Sequence, residues 1–198
     1  MKTIKSIESY IKGHSPKGWT VDYFFENDED TLFTLIPKTP EIEIHNTIVN
    51  YISKIRQQNL KPFYVAKANQ VEVTCFNEVG SVSLGHKDYI FEDVSTKYDF
   101  PNFTRENSKH IDSKSVLLSI DSGSNYFHWM CHVLPRIKLL QEYGIDWNEI
   151  NKIILPENRG DFVDQTLSIL DIPAHKVIQT ERNTTYTFDS LIIPSKPN

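Results

Sequence analysis

The sequence predicts an α/β fold with a parallel sheet in its last third and a small strand-rich segment before it. Three observations carry this. Short apolar runs alternate with helical stretches between residues 116 and 193, an order that calls for crossover connections and parallel strands. Val71, Val73 and Cys75 alternate with Glu72 and Thr74, the period of a half-buried strand. Apolar residues make up 39% of the chain, with eleven Phe, nine Tyr and three Trp, which suffices for a core and excludes wholesale disorder.

Taken in order, Ile4, Ile7 and Ile11 recur at helical spacing, with Gly13 as the stop. Residues 13–30 hold Pro16, Gly18 and the acidic cluster 26–30, and read as a loop. Residues 31–36 form a short strand closed by Pro37, and residues 46–58 a helix with Ile48, Val49, Ile52 and Ile55 on one face. After the strand at 71–75, Val82 to Leu84 and Tyr89 to Val94 supply further strands of a small antiparallel sheet, with Gly80 and Gly85 at the turns. The polar stretch 95–113 is a connection. Val116 to Ile120 is a buried strand, residues 121–125 a turn, and Tyr126 to Tyr143 a helix ending at Gly144. Lys152 to Leu155 is the next strand, closed by Pro156. A helix capped by Asp161 and stopped by Pro173 follows, then strands at 177–178 and 191–193.

Several function classes drop out. A net charge of −5 offers no basic footprint for nucleic acid. Two cysteines, Cys75 and Cys131, make no disulfide framework, and Cys131 reads as a small buried apolar residue. Glu8 and Lys12 interrupt the N-terminal stretch where a signal peptide needs apolar residues. No run of about 18 apolar residues encodes a membrane span. The expectation is a cytoplasmic chain, at most peripheral to a membrane.

The densest cluster of chemistry runs from Ser122 to Arg136, at the carboxyl end of the 116–120 strand and on the first turns of the next helix. Ligands of open α/β sheets bind at such strand ends, and free N–H groups of a first helical turn favour anions. Asn125 is placed to cap the helix. His128, His132 and Arg136 are spaced i, i+4, i+8 and fall on one stripe, while Trp129 and Val133 face the sheet. Pro135, ten residues in, predicts a kink near Cys131 or the start of a second helix. His128-x-x-x-His132 has the spacing of two helical zinc ligands. The glutamate of H-E-x-x-H is replaced by Trp129 and no third ligand is evident, so no metal is expected. Arg159, in the turn after the 152–155 strand, is a further candidate ligand contact.

The run Asn125-Tyr-Phe-His-Trp with Val-Leu-Pro-Arg136 resembles the N-Y-x-H-W/F-x-x-E/D-x-L-P-R signature of glycosyltransferase family 61, the DUF563 or capsular polysaccharide biosynthesis type. With lower specificity the resemblance extends over residues 62–198. It implies a GT-B enzyme that inverts the anomeric centre without an obligatory metal, transferring sugar from a nucleotide-sugar donor to a saccharide acceptor. It divides the chain into an irregular, helical segment (1–61), a strand-rich segment (62–113) and a Rossmann-like α/β lobe (114–198). That lobe faces the acceptor. The donor lobe would follow Ser195, where the chain ends after a strand, so these residues alone bind no cofactor and are expected to be inactive. His128 becomes the base or acceptor-positioning group, with Asn125, Arg136 and Arg159 as substrate contacts. His132, the second catalytic candidate, stands where the family has Glu or Asp. A separate chain could supply the donor lobe. The alternative is a non-catalytic carbohydrate-binding remnant, which the exchanged acid favours.

Overall fold

The computed structural model describes residues 2–24, 63–76, 82–95, 107–120, 122–156 and 160–196. Almost all belong to one compact unit, Met1–Asp22 with Tyr64–Pro197. The second, Tyr23–Phe63 with Asn198, falls almost wholly outside the described residues. The expected strand at 31–36 and helix at 46–58 lie outside them too.

In chain order the elements are β1 (Lys2–Ile4), α1 (Ile7–His14), β2 (Thr20–Phe24), β3 (Phe63–Cys75), β4 (Val82–His86), β5 (Tyr89–Phe91) and β6 (Asn107–Leu117). There follow α2 (Tyr126–His128), a π-helical segment (Trp129–Val133) and α3 (Leu134–Glu142). Then come β7 (Lys152–Pro156), α4 (Asp161–Ile169), β8 (Val177–Thr180) and β9 (Thr184–Pro194). The fold is mixed α/β. The strands form one nine-stranded sheet in the order β1-β5-β4-β3-β9-β6-β7-β8, with β2 paired to β3. The expected parallel group is present: β6 pairs in parallel with β7 and β9, and β7 with β8. The expected antiparallel group is present as β3-β4-β5. It is not a separate sheet, because β3 pairs with β9 over both their lengths. The boundary expected after residue 113 falls inside β6.

The long strands fold back on themselves. Thr180 is level with Pro156, two residues beyond the Leu117↔Ile154 pair, yet Thr184 pairs with Asn107 at the other end of β6. In a flat sheet those levels lie roughly 40 Å apart along the strands, whereas residues 181–183 bridge about 14 Å at most. The bend is marked in each long strand. Gln70 of β3 has φ +54°, and the β6–β9 register shifts between Ile111 and Lys114. Gln70 Nε2 donates to the Asp189 carboxylate of β9 at 2.7 Å across the bend. The two halves thereby enclose one core, in which Val73, Cys75 and Tyr186 share a cluster with Leu117 and Ile154.

Several boundaries move for local reasons. α1 starts at Ile7 because the Ser6 hydroxyl accepts from the Ser9 N–H, and it runs through Gly13 to end at Ser15 with φ +46°. Thr20–Phe24 is a strand rather than loop. Gly85 sits inside β4, and the turn is made by Lys87 (φ +54°). Residues 107–113, expected as connection, form the exposed first half of β6, held by main-chain pairing with β9. Gly160, not Asp161, is the N-cap of α4, and Asp161 and Asp164 instead lie in its first turn, where carboxylates favour the helix dipole. Among the described residues no helix is long and apolar enough to cross a membrane.

Candidate functional site

β6 delivers the chain to a buried strand end. The N–H groups of Leu118 and Ser119 both donate to the Ile154 carbonyl of β7, at 3.1 and 2.9 Å. The chain then turns tightly: Ser122 has φ +55°, and Gly123 N–H donates to the Ile120 carbonyl at 3.0 Å. A Cβ on Gly123 would lie 3.1 Å from that same oxygen, so the turn favours glycine. Asn125 caps the following helix as expected, its side-chain oxygen accepting from Phe127 N–H at 2.9 Å.

Pro135 explains the next feature. Its ring would clash with the Cys131 carbonyl four residues earlier in a regular α-helix. The helix widens instead: Leu134 N–H reaches back five residues to the Trp129 carbonyl, the bonding of a π turn. The helix thus continues past the proline without a break in the sequence of helical residues. Trp129 and Val133 are buried against the sheet as expected, and the Trp129 indole donates to Thr166 Oγ1 of α4 at 2.9 Å.

On the outer side of this segment His128 and His132 meet. Their Nδ1 atoms are 3.0 Å apart and their ring centroids 4.9 Å. Both rings are half-buried. One Nδ1 must carry a proton and the other must accept it, so the bond exists only while at least one ring is neutral. Burial lowers the His132 pKa, and His128, Arg136 and Lys196 lower it further, which favours its neutral form. The exposed Phe127 ring stands edge-on to both, at 5.5 and 6.2 Å between centroids.

Arg136 is not on this surface. It is 2% exposed, and all four of its hydrogen bonds to described residues go to main-chain carbonyls: Leu117 (2.9 Å), Leu118 (3.0 Å) and Pro194 (3.0 and 3.2 Å). Burial pushes its pKa down to about 9, which leaves it charged at neutral pH. With its fork spent on the ends of β6 and β9, it ties α3 to the sheet and has no donor directed to a substrate. The spacing explains why. Arg136 lies seven residues after Trp129 and three after Val133, the repeat of the buried stripe.

The structure therefore brings His128 and His132 together, uses Asn125 as the helix cap, and withdraws Arg136 into the interior. Arg159 lies outside the described residues. Cys131 is exposed, not buried, because it falls on the outer side of the π segment. Sequence reasoning passed over Tyr126, Phe127 and Met130, exposed large apolar side chains of the same helical segment, of which Phe127 stands against the histidine pair. Their position in the first turns next to His128 was the available signal. Lys196, from the end of β9, donates to the Ser95 carbonyl at 2.6 Å and contributes positive charge near His132. Among the described residues no group of three or more His, Cys, Asp or Glu side chains converges on one point. No protein-family model, curated protein or solved structure matches the chain.

Proposed function

We propose that this chain is the acceptor-side, Rossmann-like lobe of a glycosyltransferase of the family 61 type, with His128 as the base. The observation that carries the reading is the His128–His132 contact at the carboxyl end of β6, 3.0 Å between Nδ1 atoms, inside the Asn125–Arg136 motif. The reading takes the tautomer in which His128 Nδ1 carries the shared proton and His132 Nδ1 accepts it, which leaves the His128 lone pair on Nε2.

In the reaction this supports, His128 Nε2 removes the proton of an acceptor hydroxyl. The hydroxyl oxygen forms its bond to the anomeric carbon of a nucleotide sugar as the bond to the diphosphate breaks, and the diphosphate leaves with the electron pair. The anomeric centre inverts. In this reading a second lobe binds the nucleotide sugar. His132 takes over the hydrogen-bond acceptance of the family's carboxylate, and with it the orientation of His128. It brings no negative charge to stabilise the imidazolium.

That missing charge favours a second reading, a lobe that binds saccharide without transfer. The two share one binding test, a glycan array probed with the labelled chain. Retention of a saccharide that His128→Gln abolishes, with an unchanged circular dichroism spectrum, is the expected result. No saccharide retained by the wild-type chain would overturn both. Addition of nucleotide sugars to the retained acceptor, read by mass spectrometry, separates transfer from binding.

A further inference from the structure

We propose that His128 and His132 form a two-imidazole chelate for a borderline-soft divalent ion, Cu(II) or Ni(II) first and Zn(II) after them, bound through the two Nδ1 atoms. The argument starts from the distance. Two ligand nitrogens 3.0 Å apart, each at ~2.05 Å from a metal, subtend about 95° at the ion. That is the angle between neighbouring ligands in tetragonal, square-planar or octahedral coordination, the geometry of Cu(II) and Ni(II) with nitrogen ligands. A tetrahedral ion needs the nitrogens at roughly 3.3 Å, a small rotation of either ring. Neutral imidazole is a ligand suited to all three ions.

Both rings are half-buried, so neither is sealed in the interior and each is restrained by its neighbours. Phe127, edge-on to both rings, shields one side with hydrocarbon. The remaining coordination positions are filled by water. Two cations lie near. The Arg136 guanidinium is spent on carbonyls in the interior, and the Lys196 ammonium is bonded to the Ser95 carbonyl. They weaken the site relative to a neutral setting but occupy neither Nδ1. Binding forms two metal–nitrogen bonds and displaces two waters from the ion, while the proton shared across the pair passes through solvent to the Nε2 of the ring that carried it, so both rings stay neutral and no net proton is released.

The chelate stands independently of sugar transfer. Where both hold, it would compete with it, because the metal takes the Nδ1 atoms whose shared proton leaves the lone pair on Nε2.

The test uses the intact chain. Titration with CuCl2, NiCl2 and ZnCl2 by calorimetry should give saturable one-to-one binding, tightest for copper. With ZnCl2, nitrogen spectra of the labelled imidazoles should shift the Nδ1 signals of two of the seven histidines, those of His128 and His132. His128→Ala and His132→Ala should each weaken binding at least tenfold, and His175→Ala, at an exposed site elsewhere, should leave it unchanged. The proposal falls if no heat saturates at millimolar metal, or if other imidazoles respond and these two do not. The spectra of the wild-type chain decide the matter even if an alanine variant fails to fold.

Discussion

Arg136→Met is the substitution whose cost the structure fixes most directly. Methionine matches the arginine stem in length and helix propensity, so the change removes the fork and little else. Three buried carbonyls, those of Leu117, Leu118 and Pro194, then lose their donors. Each buried orphan costs about 1–3 kcal/mol. Part of this is offset because a charge no longer has to be held in the interior, and removing such a charge is favourable by several kcal/mol. The net expectation is a loss of roughly 4 kcal/mol, three orphaned carbonyls at about 2 kcal/mol each less the part regained by no longer burying the charge. With a urea slope of about 2–3 kcal/mol per molar for a domain of this size, the unfolding midpoint should fall by roughly 1.3–2 M. Arg136→Lys, whose single ammonium cannot serve the ends of both β6 and β9, should lose about half as much. Equilibrium urea unfolding followed by tryptophan fluorescence measures both. A Met variant whose midpoint stays within about 0.5 M of the wild type would refute the argument that this buried fork holds α3 to the sheet.

Further outcomes follow from the same geometry. His132 has a pKa below its unfolded value, so the unfolded chain binds the proton first. The stability tied to this group is therefore whole above about pH 6.5 and is lost as pH falls through the folded value. Urea midpoints at pH 7.5 and pH 5.5 should differ less in His132→Gln than in the wild type, and an equal difference in both would count against it. Trp129→Phe removes the indole donor to Thr166 and should cost about 1–2 kcal/mol, measured by the same urea unfolding. Iodoacetamide under native conditions should add one label, at exposed Cys131. The Cys75 thiol, whose pKa burial pushes up to about 12, should stay unmodified until urea is added. Two labels on the native chain, by mass spectrometry, would contradict that burial.

The parts of the fold that were legible in the sequence are those in which local pattern and burial coincide. β7, α4 and the second half of β6 are apolar runs closed by proline, glycine or a cap. The parallel pairing follows from their alternation with helices. Asn125 as a cap and Trp129 with Val133 as core were legible for the same reason. The first half of β6 was not. Asn107 to Ser113 is mostly exposed and polar, so it has no apolar alternation, and it is a strand only because β9 offers main-chain partners from far along the chain. The bend at Gln70 has the same origin, since nothing local requires a left-handed residue there. At the site, the i, i+4 spacing sufficed to bring His128 and His132 together. Arg136 was assigned to their stripe although it also fits the repeat of Trp129 and Val133. Burial of a charged side chain is set by which carbonyls await it at the strand ends, and one helix cannot show that.

The placement of β9 governs how the chain must be made. β3 takes one long partner from residues 184–194, well over a hundred residues later in synthesis, and the exposed half of β6 depends on that same strand. Until β9 leaves the ribosome, Val65, Ala66, Ala68, Val71 and Val73 line a strand edge with open main-chain donors and acceptors, an invitation to pair with another chain. The closing strand is then the step that seals two halves of a bent sheet at once. Pairing between segments this far apart in the chain is the kind that forms slowly, and a nascent chain that stops before Thr184 leaves the β9-facing edge of β3 unpaired.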